Sequence, residues 1–236
     1  MLASQYLLQT QQLLQNPMAA AGLYAISDLQ GYINSARTFL AGESECVRVS
    51  GTYAAPTNTV SFPFSSISYS GSGYAEVLNV RQMQASVVGG GYQPMYPRSF
   101  PWFMQYNLNP TTPPTGIPKE WAQQGQGASG TLYISPLPSV PTTLYCDLAM
   151  LPAAVIADTD PDVIPDIYSG AAPYYAAYLA YLSAQRTADA DAMFKRYREF
   201  LSSARGFANG YLLPSTRANA PDPVNQSRFS KPSGGQ

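Results

Sequence analysis

Any acid–base or metal chemistry in this chain has to come from a small set of carboxylates and thiols. Five glutamates stand at 43, 45, 76, 120 and 199, four aspartates cluster at 158, 160, 162 and 166, and two cysteines lie at 46 and 146. No histidine occurs among the 236 residues. Its absence removes the commonest general base and transition-metal ligand, and with them the Ser-His-Asp and Cys-His nucleophile arrangements. Glycoside hydrolysis needs only two carboxyl groups, so Glu43 with Glu45, or Glu76 with Glu120, are the pairs to consider. Nothing in their spacing singles them out. The four aspartates could offer oxygen ligands to a divalent cation, but their spacing matches no cation loop. The prolines between them suit a helix start, where carboxylates favour the positive helix end. Two isolated cysteines make no zinc site and read as small apolar residues at the two ends of a β region. Gly89-Gly90-Gly91 lacks the Lys and Ser/Thr of a phosphate loop and is expected to close a hairpin. The expectation is a chain with no enzymatic activity, no cofactor and no metal.

Binding chemistry is better represented. Tyr96, Trp102, Phe103, Tyr106 and Trp121 could stack on sugars, or anchor a protein interface, where aromatic residues concentrate. Lys195, Arg196, Arg198 and Arg205 share one expected helix and could meet DNA phosphates, or simply face water. Only 11% of residues are charged while 45% are hydrophobic, against the roughly 25% charged of ordinary globular chains. A polar but uncharged surface of this kind suits protein contacts. The net charge is −1, divided between −5 over residues 1–185 and +4 over residues 186–236. The C-terminal fifth is therefore suited to an acidic partner surface. Two distant cysteines fit a reducing compartment. No basic residue precedes Arg37 and no apolar run is long enough to span a bilayer, so neither an export signal nor a membrane partner is expected.

These residues must be positioned by an α+β chain in four parts. Residues 1–43 read as N-terminal helices. Leu7, Leu8, Leu13 and Leu14 lie in a Gln-rich run that Pro17 interrupts. In a second helix Ser27 and Gln30 form a capping box, Leu29, Ile33, Ala36 and Leu40 form one apolar stripe, and Gly42 ends the helix. Residues 44–152 read as an inserted, β-rich, sandwich-like region. Val47 and Val49, then Val60, Phe62 and Phe64, alternate with polar residues; Leu132, Ile134 and the run Leu144–Met150 resume the extended pattern. Seven prolines in 92–118 predict an excursion or loop there and exclude a central strand. Residues 153–210 read as C-terminal helices that pack on the first ones to make one helical bundle. Pro173 after Gly170 implies a kink or a fresh helix start, Tyr174, Tyr178, Tyr181 and Leu182 repeat at helical spacing, and a last helix from Thr187 carries Met193, Tyr197, Phe200, Ala204 and Phe207 until Gly210 ends it. Residues 211–236 are an extended tail, too rich in Pro, Ser and Asn to build a core.

The order of these segments resembles the head-to-tail adaptor proteins of tailed bacteriophages. The resemblance rests on "INSARTFLAGE" (33–43) before a Cys-bearing strand and on "GIPKEWAQQGQGASGTLYISPLPSVPTTLYCDLAMLP" (116–152). It rests also on the acidic, proline-containing helix start at 158–166, and on the final helix "DAMFKRYREFLSSARG" (191–206). It implies a homo-oligomeric ring of twelve copies beneath the portal protein, in the virion neck, assembled in the host cytoplasm. Such a ring extends the channel through which viral DNA passes without sequence-specific binding, and carries the next tail or stopper component. It also implies that the tail docks on the portal, where Tyr211, Leu212, Leu213, Val224 and Phe229 are apolar anchors and Arg217, Arg228 and Lys231 meet acidic groups. Subunits are expected to touch through Tyr174, Ala177, Tyr178, Ala180 and Tyr181, and tail components through Tyr96, Arg98, Trp102, Phe103 and Tyr106. The alternatives are a glycan-binding or peptidoglycan-cleaving virion protein that uses loop 92–121, and a cytoplasmic scaffold unrelated to phage.

Overall fold

The computed structural model describes residues 1–15, 23–87, 89–106 and 113–211, the side chains of Tyr106 and of residues 207–211 excepted. Pro17 and the expected tail anchors Leu212, Leu213, Arg217, Val224, Arg228, Phe229 and Lys231 lie outside the described residues. Two helices open the chain, α1 (Ala3–Leu14) and α2 (Ile26–Ser44). The α2 stripe is where its spacing puts it: Leu29, Ile33, Ala36 and Leu40 are all buried. Both expected ends of α2 are corrected. The helix begins two residues earlier, with Ala25 in place of Ser27 as a cap that makes no side-chain bond, and the Gln30 amide donates instead to the carbonyl of Ile156 (3.4 Å). Gly42 stays helical, and the turn out of α2 falls at Glu45, in the left-handed region with φ of 50° and its N–H on the Ala41 carbonyl.

Among the described residues ten strands follow: β1 (Arg48–Ala55), β2 (Ser61–Pro63), β3 (Ser68–Tyr69), β4 (Tyr74–Ser86), β5 (Tyr92–Arg98), β6 (Thr115–Gly116), β7 (Glu120–Gln124), β8 (Thr131–Ser135), β9 (Leu137–Pro138) and β10 (Thr142–Pro152). Helix α3 (Phe100–Tyr106) lies between β5 and β6. Eight strands make one sheet in the order β2-β8-β7-β5-β4-β10-β1-β3, and β6 pairs with β9 apart from it. The sheet curls back on itself: Tyr53 of β1 stacks on Phe62 of β2 with ring centroids 3.9 Å apart, although these strands lie toward opposite ends of the order. Gly51 sits inside the curl, where an added Cβ would lie 2.7 Å from both Ile67 and Leu148. The glycine run closes the β4–β5 hairpin, with the Val87 N–H on the Gly91 carbonyl and Gly90 at φ of 88°.

The largest correction concerns residues 92–98. Two prolines predict no central strand, yet β5 sits in the middle of the sheet. It does so by changing partners halfway. Tyr92–Met95 pair antiparallel with β4, and Tyr96–Arg98 pair parallel with β7. Each half has one ladder, so Pro94 and Pro97 are accommodated as they are on an edge strand.

Three helices close the described chain: α4 (Asp166–Ser169), α5 (Ala172–Ser183), which carries Pro173 in its first turn, and α6 (Thr187–Tyr211). α5 packs against α1, α2 and α6, while α2 also lies on β10. One buried cluster joins helices and sheet, from Ile33 and Leu40 through Leu144 and Leu148 to Ala176 and Tyr197. The architecture is thus mixed α+β around a curled sheet. Along α6 the buried positions are Ala190, Tyr197, Leu201 and Ala204, and Phe200 turns outward. The helix continues through Gly210 to Tyr211.

Candidate assembly surfaces

The acidic segment between β10 and α4 is a structural clamp. Arg37 of α2 is fully buried and its Nη2 meets Asp162 Oδ1 at 2.9 Å, while Nη1 donates to the Ala153 carbonyl at 2.8 Å. Asp162 Oδ2 accepts from the Tyr6 hydroxyl (2.7 Å) and from the Met1 amino group (3.0 Å). Burial works to raise the Asp162 pKa, but hydrogen bonds from Tyr6, Arg37 and the amino group outweigh it and hold the carboxyl below its ordinary range. The same burial and the same carboxylate push the Tyr6 hydroxyl strongly upward. Asn34 exchanges two bonds with Val155, Asp158 accepts from the backbone and hydroxyl of Ser4, and Asp160 accepts from the N–H groups of Ile156 and Ala157. The expected role at a helix start therefore holds only for Asp166, in the first turn of α4. The other three aspartates tie α1, α2 and their own loop together. Among the described residues no group of His, Cys, Asp or Glu is placed to hold a metal ion.

Four of the five glutamates, Glu43, Glu45, Glu120 and Glu199, are likewise bonded to partners in the chain. Glu43 accepts from the Tyr197 hydroxyl (2.9 Å) and from Arg198 (2.7 Å), and its carbonyl accepts from Arg205 (2.7 Å). Burial and the Glu43 carboxylate raise the Tyr197 pKa. Glu45 instead faces β4, binding Asn79 and Arg81, so the neighbouring pair Glu43 and Glu45 points to different elements. Glu120 binds Arg98 at 2.7 Å and Glu199 binds Arg196 at 3.4 Å. Of the four basic residues expected to offer a charged face on α6, Arg196, Arg198 and Arg205 are thus in ion pairs. Cys146 is buried and its thiol is pushed up to about 12; Cys46 is shifted the same way, chiefly by burial.

The expected contact residues around 92–106 divide. Tyr96 is 61% exposed, and Arg98 lies over the Trp102 ring at 4.8 Å. Phe103 is fully buried and belongs to the core, as does Trp121; neither is available to a partner. Tyr106 ends α3, its side chain outside the described set. Tyr92, which sequence reasoning passed over, is 63% exposed and meets Tyr145 edge-on at 5.0 Å. Period-two alternation from Leu144 to Met150 was the available signal, since it turns Tyr145 outward. Across β1, β10 and β4 the register aligns Thr52, Tyr145 and Gln84, then Ser50, Asp147 and Gln82, and these residues line a shallow depression of about 210 Å3 with Asp147 its one charge.

The expected subunit contact on α5 also divides. Ala177 and Ala180 are fully buried inside the chain, in a cluster with Leu14, Leu29 and Ala190, so the close approach that alanine permits is made to the chain's own helices. Tyr181 is buried too, donating to the Leu13 carbonyl at 3.2 Å. Tyr178 is half-buried. Tyr174, half-buried as well, joins Ile167 and Phe200 in lining a groove of about 510 Å3 between α4, α5 and α6. Phe200 lies against Gly170, where an added Cβ would come within 2.6 Å of the ring.

An α+β chain with aromatic residues at the surface and an apolar groove on its helices has the make-up of a binding and assembly protein. The family model described as "SU10 adaptor protein" matches residues 3–223, and the chain belongs to that family, consistent with the phage head-to-tail adaptors that its sequence resembles. Membership implies interaction with other phage head and tail components, and a place in the virion. No protein of curated function matches the chain. No helix among the described residues is long and apolar enough to cross a membrane.

Proposed function

We propose that this protein is the head-to-tail adaptor of a tailed phage and acts without catalysis. Twelve copies form a ring beneath the portal, extend the DNA channel and provide the platform for the next tail or stopper component. In this role the helices of residues 1–43 and 153–210 build one bundle, residues 44–152 are inserted into it, and the segment 211–236 docks on the portal. The family match over residues 3–223 carries the proposal. The low charge content and the in-chain partners of Glu43, Glu45, Glu120 and Glu199 accord with an assembly role. Tyr96, Arg98 and Trp102 are the remaining candidates for contact with a tail component.

The test is cosedimentation of the purified chain with portal-bearing, tailless heads, followed by imaging of the neck. Stoichiometric binding with ring density below the portal is expected, lost on truncation after Gly210. Heads that fail to bind the intact chain would refute the adaptor role. Zymography on peptidoglycan is expected to show no clearing; clearing that vanishes with Glu43→Gln or Glu76→Gln would overturn the non-catalytic assignment.

A further inference from the structure

The strand that changes partners leaves an opening in the sheet. β5 pairs with β4 only over Met83–Ser86 and then joins β7. Toward the start of β4 the two flanking strands are bridged by a side chain instead: Gln123 Oε1 accepts from the Val80 N–H at 3.1 Å, and Gln123 Nε2 donates to the Gly125 carbonyl at 2.9 Å. A cleft of about 360 Å3 lies there, lined by residues of β1, β4, β5 and β7. Among the described residues that line it, Arg48 and Arg81 carry the only charges. Their carboxylate partners, Asp147 for Arg48 and Glu45 for Arg81, are outside the lining. Asp147 takes Nε and Nη2 of Arg48, and Glu45 takes Nη1 of Arg81. Nη1 of Arg48 and Nη2 of Arg81 thus have no bond among the described residues. Burial lowers the Arg48 pKa from its ordinary value and the Arg81 charge lowers it further, as two guanidiniums held near each other require.

Two lining residues also bury a polar atom that has no partner among the described residues: Trp121 its Nε1–H, a donor, and Asn79 its Oδ1, an acceptor. Trp121 is only 4% exposed. The Asn79 Nδ2 donates to Glu45, and that bond fixes the amide, since a reversed Asn79 would set its oxygen against the carboxylate. An unmade bond at a buried polar atom costs about 1–3 kcal/mol. The lining therefore calls for a group that is negative beside the arginines, accepts from an N–H and donates to an amide oxygen. Water meets the last two demands without charge. A carboxylate has charge and acceptors but no proton at neutral pH, and the same holds for sulfate and for a nucleic-acid phosphodiester. Hydrogen phosphate, which keeps a P–OH at neutral pH, meets all three.

We propose that the cleft between β4 and β7 binds a hydrogen phosphate ion, whose oxygens accept from Arg48, Arg81 and the Trp121 indole and whose P–OH donates to Asn79 Oδ1. The volume accommodates the ion with several of its own waters. Neither Trp121 Nε1 nor Asn79 Oδ1 is open to solvent as the chain stands, so the ion enters as the exposed side chains of Gln82 and Gln126, which also line the cleft, turn aside. The charged bonds to the arginines supply most of the affinity, because hydrogen bonds to ionised groups are the stronger ones. The two buried atoms supply the selectivity for phosphate over anions that carry no proton.

The experiment is isothermal titration calorimetry of the full chain with sodium phosphate at pH 7 and constant ionic strength, with sodium sulfate in a parallel titration. Saturable binding of one phosphate per chain is expected. Sulfate should bind about tenfold more weakly or worse, since it leaves Asn79 Oδ1 unpaired. Arg48→Gln and Arg81→Gln, both at exposed positions, each remove a charged donor and should weaken phosphate binding about tenfold or more while melting as the parent does. Trp121→Phe keeps a ring in the core and removes the N–H, and should weaken binding about fivefold, the effect of one neutral hydrogen bond. Where Trp121→Phe melts below the parent, the arginine variants and the preference over sulfate decide. No saturable phosphate binding, sulfate bound as tightly as phosphate, or arginine variants that bind phosphate like the parent each overturns the site.

Discussion

Asp162→Asn tests the clamp most directly, because it keeps shape and removes charge. The carboxylate accepts from Arg37, from the Tyr6 hydroxyl, from the Met1 amino group and from the Ile164 N–H. An amide leaves one acceptor oxygen and presents an NH2 group to donors. It also leaves the Arg37 guanidinium fully buried without a counter-charge. Breaking one side of a buried ion pair typically costs about 3–5 kcal/mol, which for a chain of this size lowers Tm by roughly 10 °C. Urea titration and thermal melting read the effect. The pH dependence supplies a second check. The Asp162 pKa is depressed in the folded state, so the unfolded chain binds the proton more readily. Its stabilising contribution is complete above the ordinary carboxylate range near 4, and it is lost as pH falls through the lower, folded value. The asparagine variant should lose this part of the acid sensitivity. A cost below about 1 kcal/mol, against that 3–5 kcal/mol expectation, together with an unchanged acid transition, would refute the assignment of Asp162 as the counter-charge that holds α1 and α2 to the 153–165 loop.

Three further outcomes follow from the packing. Gly51→Ala should destabilise by about 1–3 kcal/mol, since its methyl would overlap Ile67 and Leu148 inside the curl; urea titration equal to the parent would show that the curl yields there. Phe103→Ala should cost about 3–5 kcal/mol as a core truncation, whereas Tyr96→Ala should stay within about 0.5 kcal/mol and alter only the binding of a partner, as calorimetry on both variants would show. Cys146 should resist thiol reagents at neutral pH in the folded chain and react on denaturation, because burial keeps its thiol protonated; rapid native-state labelling there would contradict that burial.

Local pattern was enough for several features. The α2 stripe, the break that Pro173 marks before α5, the glycine hairpin and the alternation through Leu132, Ile134 and Leu144–Met150 each depend on residues a few positions apart, where a helical or extended backbone alone decides which side chains share a face. The order of segments was also legible, and it carried the resemblance that the family match bears out. What lay beyond reach was every choice of partner. The Arg37–Asp162 pair spans 125 positions, and no periodicity announces which of four clustered aspartates will be buried. Proline counting excluded β5 from the sheet centre because a strand with two continuous ladders has no place for Pro94 or Pro97; only tertiary structure could divide that strand between β4 and β7. Ala177 and Ala180 looked like a surface for a neighbouring subunit because small residues permit close approach wherever they point. Composition states that an approach is possible, but only the packed chain decides that α1, α2 and α6 make it.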